Sequence, residues 1–274
     1  MLQGHPDTAG GRVFPPPLTN RSDEERDELV RRFRQEGPVR YVVIDDFLDA
    51  SVAQQLLDEF PSPQDMPKSR DYVFSDKREL STLDRHTDTS RMLHDALVSP
   101  AFTEFLSDLV GRPVFLDPEY VGGGFHAGEP GSYLDLHTDF NLHPVHHDWH
   151  RMLNILIYLN PGWEPSWGGQ LQLTDRPDRP GTTVDPLFNR AVVMESTDSS
   201  YHGYEQLRFP EGTARRSIAA YAYETVADGA IERRTTNWQP QEASAAKRVL
   251  AKNWNRIVLT KNRFLGSGTV KNRR

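Results

Sequence analysis

The sequence predicts a mostly β domain with flanking helices, its antiparallel strands arranged as a sandwich or jelly roll. Three observations predict it. Beyond residue 113 short apolar runs recur, separated by Gly, Pro, Asn and Asp. These runs follow one another without helical segments between them, which argues against alternating βα units. Apolar residues at helical spacing occur before and after this region.

Residues 1–20 are rich in Gly and Pro, with Pro15, Pro16 and Pro17 in a row, and are expected to form a flexible, extended arm. Ser22 and Glu25 have capping-box spacing and open a charged helix through Arg34, which Gly37 and Pro38 stop. Residues 41–44 read as a buried strand and 51–60 as a helix ended by Pro61 and Pro63. Residues 62–87 are polar and irregular. A loop that long in a compact domain is either a substrate-facing segment or a surface insertion. Helices are expected over 89–97 and 99–110, with Ser99 as cap, Pro100 as first helical residue and Gly111 as stop. The strand-like runs are 114–116, 133–139, 152–159, 170–174, 190–194 and 215–224; residues 241–259 read as a closing helix. The chain thus divides into the arm at 1–20, one domain at 21–260 with its β core at about 113–225, and a basic tail at 261–274.

The formal net charge of −7 gives no basic field to recommend nucleic acid or an anionic membrane as partner. There are no cysteines, so disulfides and thiolate metal sites are excluded and any metal must be held by nitrogen and oxygen. No apolar run approaches the roughly 20 residues of a membrane span, and the start lacks a basic segment followed by an apolar one. A soluble, cytoplasmic protein is expected.

The chemistry concentrates in Tyr133-Leu-Asp-Leu-His137-Thr-Asp139. Side chains two apart on a strand leave on the same face, so His137 and Asp139 could grip one metal together. His202, after the strand at 190–194, offers a third ligand. Two histidines and a carboxylate make the facial triad of non-haem Fe(II) oxygenases, which leaves positions open for cosubstrate and dioxygen. His-x-Asp alone is a weak signal, but it stands in an ordered context. Tyr158-Leu-Asn160 and Trp167-Gly-Gly-Gln-Leu171 lie between the histidines, and Arg215-Arg-Ser-Ile218 follows the second.

This ordered set resembles the 2-oxoglutarate- and Fe(II)-dependent dioxygenases, in particular the prolyl-4-hydroxylase-like branch with its double-stranded β-helix (jelly-roll) core. The resemblance implies His137, Asp139 and His202 as iron ligands. It also implies Arg215 as anchor for the far carboxylate of 2-oxoglutarate, with Arg216, on the opposite face of the strand, as the alternative. Tyr133 is implied as a second contact to that carboxylate, and Ser217 and Asn154 as further cosubstrate contacts, with Arg151 beside Asn154 facing cosubstrate or substrate. Prolyl hydroxylases often carry lysine where this chain has Arg215, a departure that weighs against a prolyl substrate. The implied cofactors are Fe(II), 2-oxoglutarate and O2, with ascorbate as an optional addition. The implied reaction is hydroxylation of an aliphatic C–H with release of succinate and CO2; retention of Asp139 favours this over halogenation.

A second histidine group, His143, His146, His147 and His150, has spacing compatible with a surface zinc site, a substrate-facing loop or a solvated loop. Trp149, Trp163 and Trp167 form either an aromatic wall or ordinary loop packing. Gly168 and Gly169 are read as architecture, permitting close backbone approach. The expected substrate is a small polar molecule, an amino acid or natural-product intermediate. The competing readings are a prolyl or protein hydroxylase, a non-oxidative cupin-like metal enzyme, and a non-catalytic β-sandwich binding module.

Overall fold

The computed structural model describes residues 13–35, 37–68, 73–240, 247–254 and 257–258. In chain order the elements are α1 (Asp23–Phe33), β1 (Tyr41–Ile44), α2 (Ala50–Asp58), β2 (Arg78–Leu80), α3 (Asp88–Leu97), α4 (Pro100–Val110), β3 (Phe115–Leu116), β4 (Gly124–Gly128), β5 (Leu134–Thr138) and β6 (Trp149–Tyr158). They continue with β7 (Leu171–Thr174), β8 (Thr182–Val184), β9 (Arg190–Glu195), β10 (Tyr201–Tyr204), β11 (Arg215–Thr225) and β12 (Asn237–Trp238).

The helices begin and end where local chemistry dictates. Ser22 and Glu25 form the reciprocal capping box of α1, and Thr87 with Ser90 does the same for α3. The Ser99 hydroxyl accepts from the Phe102 amide, Pro100 occupies the first turn of α4, and Gly111 closes it with a left-handed φ of 73°.

Among the described residues one antiparallel sheet has seven strands in the order β1-β9-β6-β11-β4-β2, with β3 also on β11, and the second has five in the order β12-β5-β10-β7-β8. This is a double-stranded β-helix, and its alternation sorts the side chains. On one face of the larger sheet Leu153, Ile155, Ile157, Val193, Ile218, Ala220, Ala222 and Phe125 meet the helices in one continuous apolar core. On the other face of β11, Arg215, Ser217 and Tyr221 point toward the smaller sheet. The inside of the barrel is therefore polar along β11, while Leu171, Leu173, Val192 and Met194 make a smaller apolar cluster between β7 and β9; the larger apolar core lies outside the barrel.

The structure departs from the sequence expectations in three places. Of the expected flexible arm, the described part packs Phe14 and Leu18 into the helical core, where Phe14 meets Phe102 and Phe105 edge-on. Apolar residues between prolines can be buried without any secondary structure to announce them. Strands β2, β4, β8, β10 and β12 are not among those the sequence predicts. Apart from β8, which is only three residues long, they carry no β-branched residue, and β4 opens on Gly124, where a Cβ would lie 2.3 Å from the Leu80 carbonyl oxygen. The irregular segment 62–87 therefore contributes an edge strand, β2, to the larger sheet. Of the expected closing helix, 247–254 is helical, and the rest lies outside the described residues apart from 257–258, also helical; residues 1–12 and the basic tail lie outside them too. No helix of the described residues is long and apolar enough to cross a membrane.

Phe102 is fully buried among Phe14, Phe47 and Phe105. Phe102→Ala is expected to cost about 3–5 kcal/mol through lost burial and the cavity left behind; a urea midpoint unchanged from wild type would show that the helical layer is not the stabilising core.

Candidate metal centre

His137 on β5 and His202 on β10 are direct cross-strand partners, with ring centroids 4.3 Å apart. Asp139 follows one residue past the end of β5. Ligand atoms of His137, Asp139 and His202 all lie within 4.8 Å of one another, the set a single metal ion requires. His137 Nε2 is 3.6 Å from Asp139 Oδ1, and His202 Nε2 is 3.5 Å from Asp139 Oδ2.

Each imidazole is oriented by its other nitrogen. His137 Nδ1 lies 2.9 Å from the Asp135 carbonyl oxygen and His202 Nδ1 3.1 Å from that of Ser200. A carbonyl only accepts, so the ring protons sit on Nδ1 and both Nε2 lone pairs face the shared point. Burial, then the neighbouring His137, brings the His202 pKa down to about 4. Burial alone would raise the Asp139 pKa, but the Arg151 charge, followed by His202 and His137, holds it well below the usual carboxylate range. The set thus combines two imidazoles that turn Nε2 to one point with an ionised acid, which fits a divalent metal.

Two bulges build this arrangement. Between the pairs His202–His137 and Tyr204–Leu134, β10 has only Gly203 while β5 has Asp135 and Leu136. A Cβ at Gly203 would stand 2.5 Å from the Leu134 carbonyl oxygen and 3.0 Å from that of Asp135. Only glycine lets the Asp135 carbonyl sit where it orients His137. In β6, Leu153 pairs with Ala222 and Arg151 with Tyr223, leaving Met152 as the extra residue. Met152 and Leu153 both enter the helical core. Arg151 and Asn154, three apart, both enter the barrel, where Asn154 Nδ2 donates to Asp139 Oδ2 at 2.6 Å and Arg151 Nη1 lies 3.0 Å from the same oxygen. The Arg151 guanidinium sits 3.9 Å from the Phe140 ring centroid and 3.8 Å from that of Tyr221, and it donates to the Tyr223 hydroxyl at 3.2 Å. Trp238 of β12 stacks on His137 at 4.5 Å.

Arg215 and Ser217 leave the same face of β11 and are both buried. Arg215 Nε donates to the Gly169 carbonyl at 2.8 Å, and the guanidinium lies over the rings of Tyr204 at 4.3 Å and Tyr158 at 4.9 Å. Among the described residues no carboxylate pairs with it. The buried Tyr158 hydroxyl lies beside that guanidinium, which can only donate, so the hydroxyl's own proton has no acceptor there. A buried cation with no counter-charge, next to an unused hydroxyl donor, is a receptive site for an anionic oxygen group. Gly169 is part of it, because a Cβ there would stand 3.0 Å from Arg215 Cδ. Arg216 is half-buried on the other face, its amide donating to Asn160 Oδ1.

Some expected roles move. Tyr133 is not brought to Arg215: its hydroxyl donates to the Val73 carbonyl at 3.3 Å, and Lys247, paired with Asp135 at 2.7 Å, lies over its ring. The β5 bulge interrupts the simple alternation that would have put Tyr133 on His137's face at the far end. The tyrosines beside Arg215 are Tyr158 and Tyr204. Tyr158 stood within the Tyr-Leu-Asn stretch, which is the signal that could have found it. Asn154 serves the metal-binding acid, at the other end of the barrel from Arg215.

The second histidine group does not converge. His143 Nδ1 accepts from the Val145 and His146 amides, and its Nε2 is 3.5 Å from Asp117 Oδ2. His146 stacks on Trp149 at 4.0 Å, and His150 meets Glu224 at 3.0 Å. Trp163 donates to the Gly168 carbonyl and packs with Tyr204, Leu207 and Phe209, and Trp167 meets Phe209. These are packing roles. Among the described residues His137, Asp139 and His202 are the one group of three that could share a metal.

Residues 123–223 match the family model of the 2OG-Fe(II) oxygenase superfamily. Comparison with the curated proteins gives no match. Among solved structures the fold is similar to a prolyl hydroxylase from Trichoplax adhaerens in complex with a hypoxia inducible factor oxygen degradation domain peptide fragment, at 18% identity, 73% of this chain, 89% of that chain and a TM-score of 0.50. It is likewise similar to a Pseudomonas putida prolyl-4-hydroxylase, at 17% identity, 74% of this chain, 99% of that chain and a TM-score of 0.50.

Because Arg151 neutralises and orients Asp139, Arg151→Met is expected to weaken Fe(II) binding roughly 10- to 100-fold, read by metal titration under argon; an unchanged affinity would remove Arg151 from the support of the site. A second expectation concerns acid. His202 is neutral in the folded state down to about pH 4, and burial with the nearby Lys77 charge takes His126 down to about 3. The unfolded chain protonates both near an ordinary pKa of about 6.5, so it binds more protons than the folded state below that value and stability falls with pH. The metal-free protein should lose Tm as pH drops from about 6.5 toward 4, with a shallower slope in His126→Gln; equal slopes would contradict the assignment.

Proposed function

The chain carries a 2OG-Fe(II) oxygenase domain over residues 123–223, and from that premise we propose that it hydroxylates an aliphatic C–H of a small polar molecule. 2-Oxoglutarate and O2 are consumed, and succinate and CO2 leave with the hydroxylated product. One oxygen atom goes to the substrate and the other to succinate, so the reaction balances. The observation that carries this reading is the presence, in one barrel, of three residues that could share a metal and a buried arginine that has no carboxylate partner among the described residues.

His137, Asp139 and His202 would hold Fe(II), their free donor atoms already turned to one point. When bound, Fe(II) with 2-oxoglutarate supplies the oxidising power that the side chains lack. The chain's own residues do the rest. The Asp135 and Ser200 carbonyls keep the Nδ1 protons in place, so the imidazoles present only Nε2. Arg151 and Asn154 occupy Asp139 Oδ2, which leaves Oδ1 the freer oxygen for the metal. Arg215 takes the far carboxylate of 2-oxoglutarate through its free guanidinium nitrogens, and the Tyr158 hydroxyl donates to the same group. Tyr204 and Tyr158 exclude water from that ion pair and strengthen it.

Iron-loaded protein is expected to convert 2-oxoglutarate to succinate, and to give a weak visible absorption band with Fe(II) and 2-oxoglutarate under argon. Asp139→Ala and His202→Ala should abolish the band, whereas Arg215→Met should raise the 2-oxoglutarate Kd by about 100-fold or more, as expected when a buried charge-assisted pair loses one partner. Succinate formation that survives Asp139→Ala, or a Kd that ignores Arg215→Met, would overturn the assignment. A product heavier by one oxygen identifies hydroxylation.

A further inference from the structure

The barrel holds one polar cluster that the chemistry above does not use. His126 on β4 lies across from Glu79 on β2 and from Ser217 on β11, so it shares the inward face with Arg215. Lys77 precedes β2 and reaches the same face: its Nζ is 3.0 Å from Glu79 Oε1 and 3.4 Å from His126 Nδ1. Lysine only donates, so His126 Nδ1 accepts and the ring proton sits on Nε2. That Nε2–H is buried, in a residue 8% exposed, and makes no hydrogen bond. The Gly122 carbonyl, which accepts from the Tyr221 hydroxyl at 2.8 Å, lies beside that ring and has a second lone pair, but Nε2 does not reach it in hydrogen-bond geometry. Lys77 and Glu79 act electrostatically on Tyr204, which lies over Arg215, and on Tyr221, which lies over Arg151. The cluster is thus on the wall between the two ends of the site.

A partly buried Lys–Glu pair such as Lys77–Glu79 contributes little stability. An unpartnered buried donor costs stability outright. Their presence together on the wall of an oxygenase barrel is explained by a ligand that completes them. The cluster offers two donors, Lys77 Nζ and His126 Nε2–H, and one anionic acceptor, Glu79, with no net charge. Its complement is a group with a carboxylate and an ammonium side by side and likewise no net charge.

We propose that Lys77, Glu79 and His126 form the head-group subsite of the substrate, and that the substrate is an α-amino acid with both its carboxylate and its ammonium free. This rests on the oxygenase reading and names its substrate class. The carboxylate takes the Lys77 and His126 donors, the ammonium meets Glu79, and the side chain extends toward the metal ligands.

The test is calorimetric binding of the standard L-amino acids, L-ornithine and L-pipecolate to Fe(II)-loaded protein saturated with 2-oxoglutarate under argon. At least one should bind, and converting its carboxylate to the amide, or acetylating its amine, should weaken binding about tenfold or more. In Lys77→Met and in Glu79→Gln, the amino-acid Kd should rise about tenfold or more relative to the 2-oxoglutarate Kd. The derivatives decide the matter on wild-type protein even where a variant fails to fold. Blocked derivatives that bind as well as the free amino acid would overturn the proposal. So would a Lys77→Met variant in which the 2-oxoglutarate Kd rises in equal proportion, which would make the cluster part of the cosubstrate site. If no amino acid binds while the protein still forms succinate from 2-oxoglutarate, the subsite fails and the oxygenase reading stands; if no succinate forms, that reading fails first.

Discussion

Asp139 is where the two sheets meet, and its buried charge constrains everything around it. A carboxylate taken out of water must be neutralised and hydrogen-bonded, or it takes up a proton and ceases to be a metal ligand. The donors that keep it ionised, Arg151 and Asn154, come from the opposite sheet. Arg151 is buried in turn, and it is tolerated because Phe140 and Tyr221 cover its faces while Asp139 and Tyr223 take its edge. The pair therefore fixes the spacing of the sheets and the protonation state of the centre together. Its worth lies in placing a charge, since a buried ion pair is poor at adding stability.

That constraint explains why the strands are irregular just where the chemistry is. A regular β6 would put only one of Arg151 and Asn154 into the barrel; the extra residue, Met152, puts both there and sends its own side chain to the helical core. A regular β5 could not bring the Asp135 carbonyl to His137, and the compensating residue opposite, Gly203, has no side chain to obstruct it. Gly169 does the same service for Arg215. Most of the stabilising burial is left to the outer face of the larger sheet, where β1, β9 and the rest of β6 pair without a break.

This division also decides what could be read from the sequence. The outer face and the helices follow hydrophobic periodicity and capping rules, so α1 to α4 and the apolar strands β1, β6, β9 and β11 were legible. The meeting of His137, Asp139 and His202 was legible because the first two are close in sequence and His202 follows an obvious strand. Roles that depend on a bulge or on an unannounced strand were not. Tyr133 was expected beside Arg215 on the strength of an alternation that the β5 bulge breaks. Asn154 could be placed in the barrel but not on Asp139, because nothing in Arg151-Met-Leu-Asn154 marks the extra residue. His126 and Lys77 stayed hidden because β4 is glycine-flanked and β2 is three residues without apolar alternation.

The charges inside the barrel further suggest how its occupants are sorted. Asp139 is balanced by Arg151 and Lys77 by Glu79, whereas among the described residues Arg215 has no counter-charge. The barrel interior is thus cationic at the Arg215 end, and a metal at the other end would add to that field. A dianion long enough to touch both ends gains from each, and in a water-poor interior that gain is large. Once it is in place, most of the long-range field is spent. A third component then meets local donors and acceptors on the remaining wall, so its selection rests on matching those groups one by one.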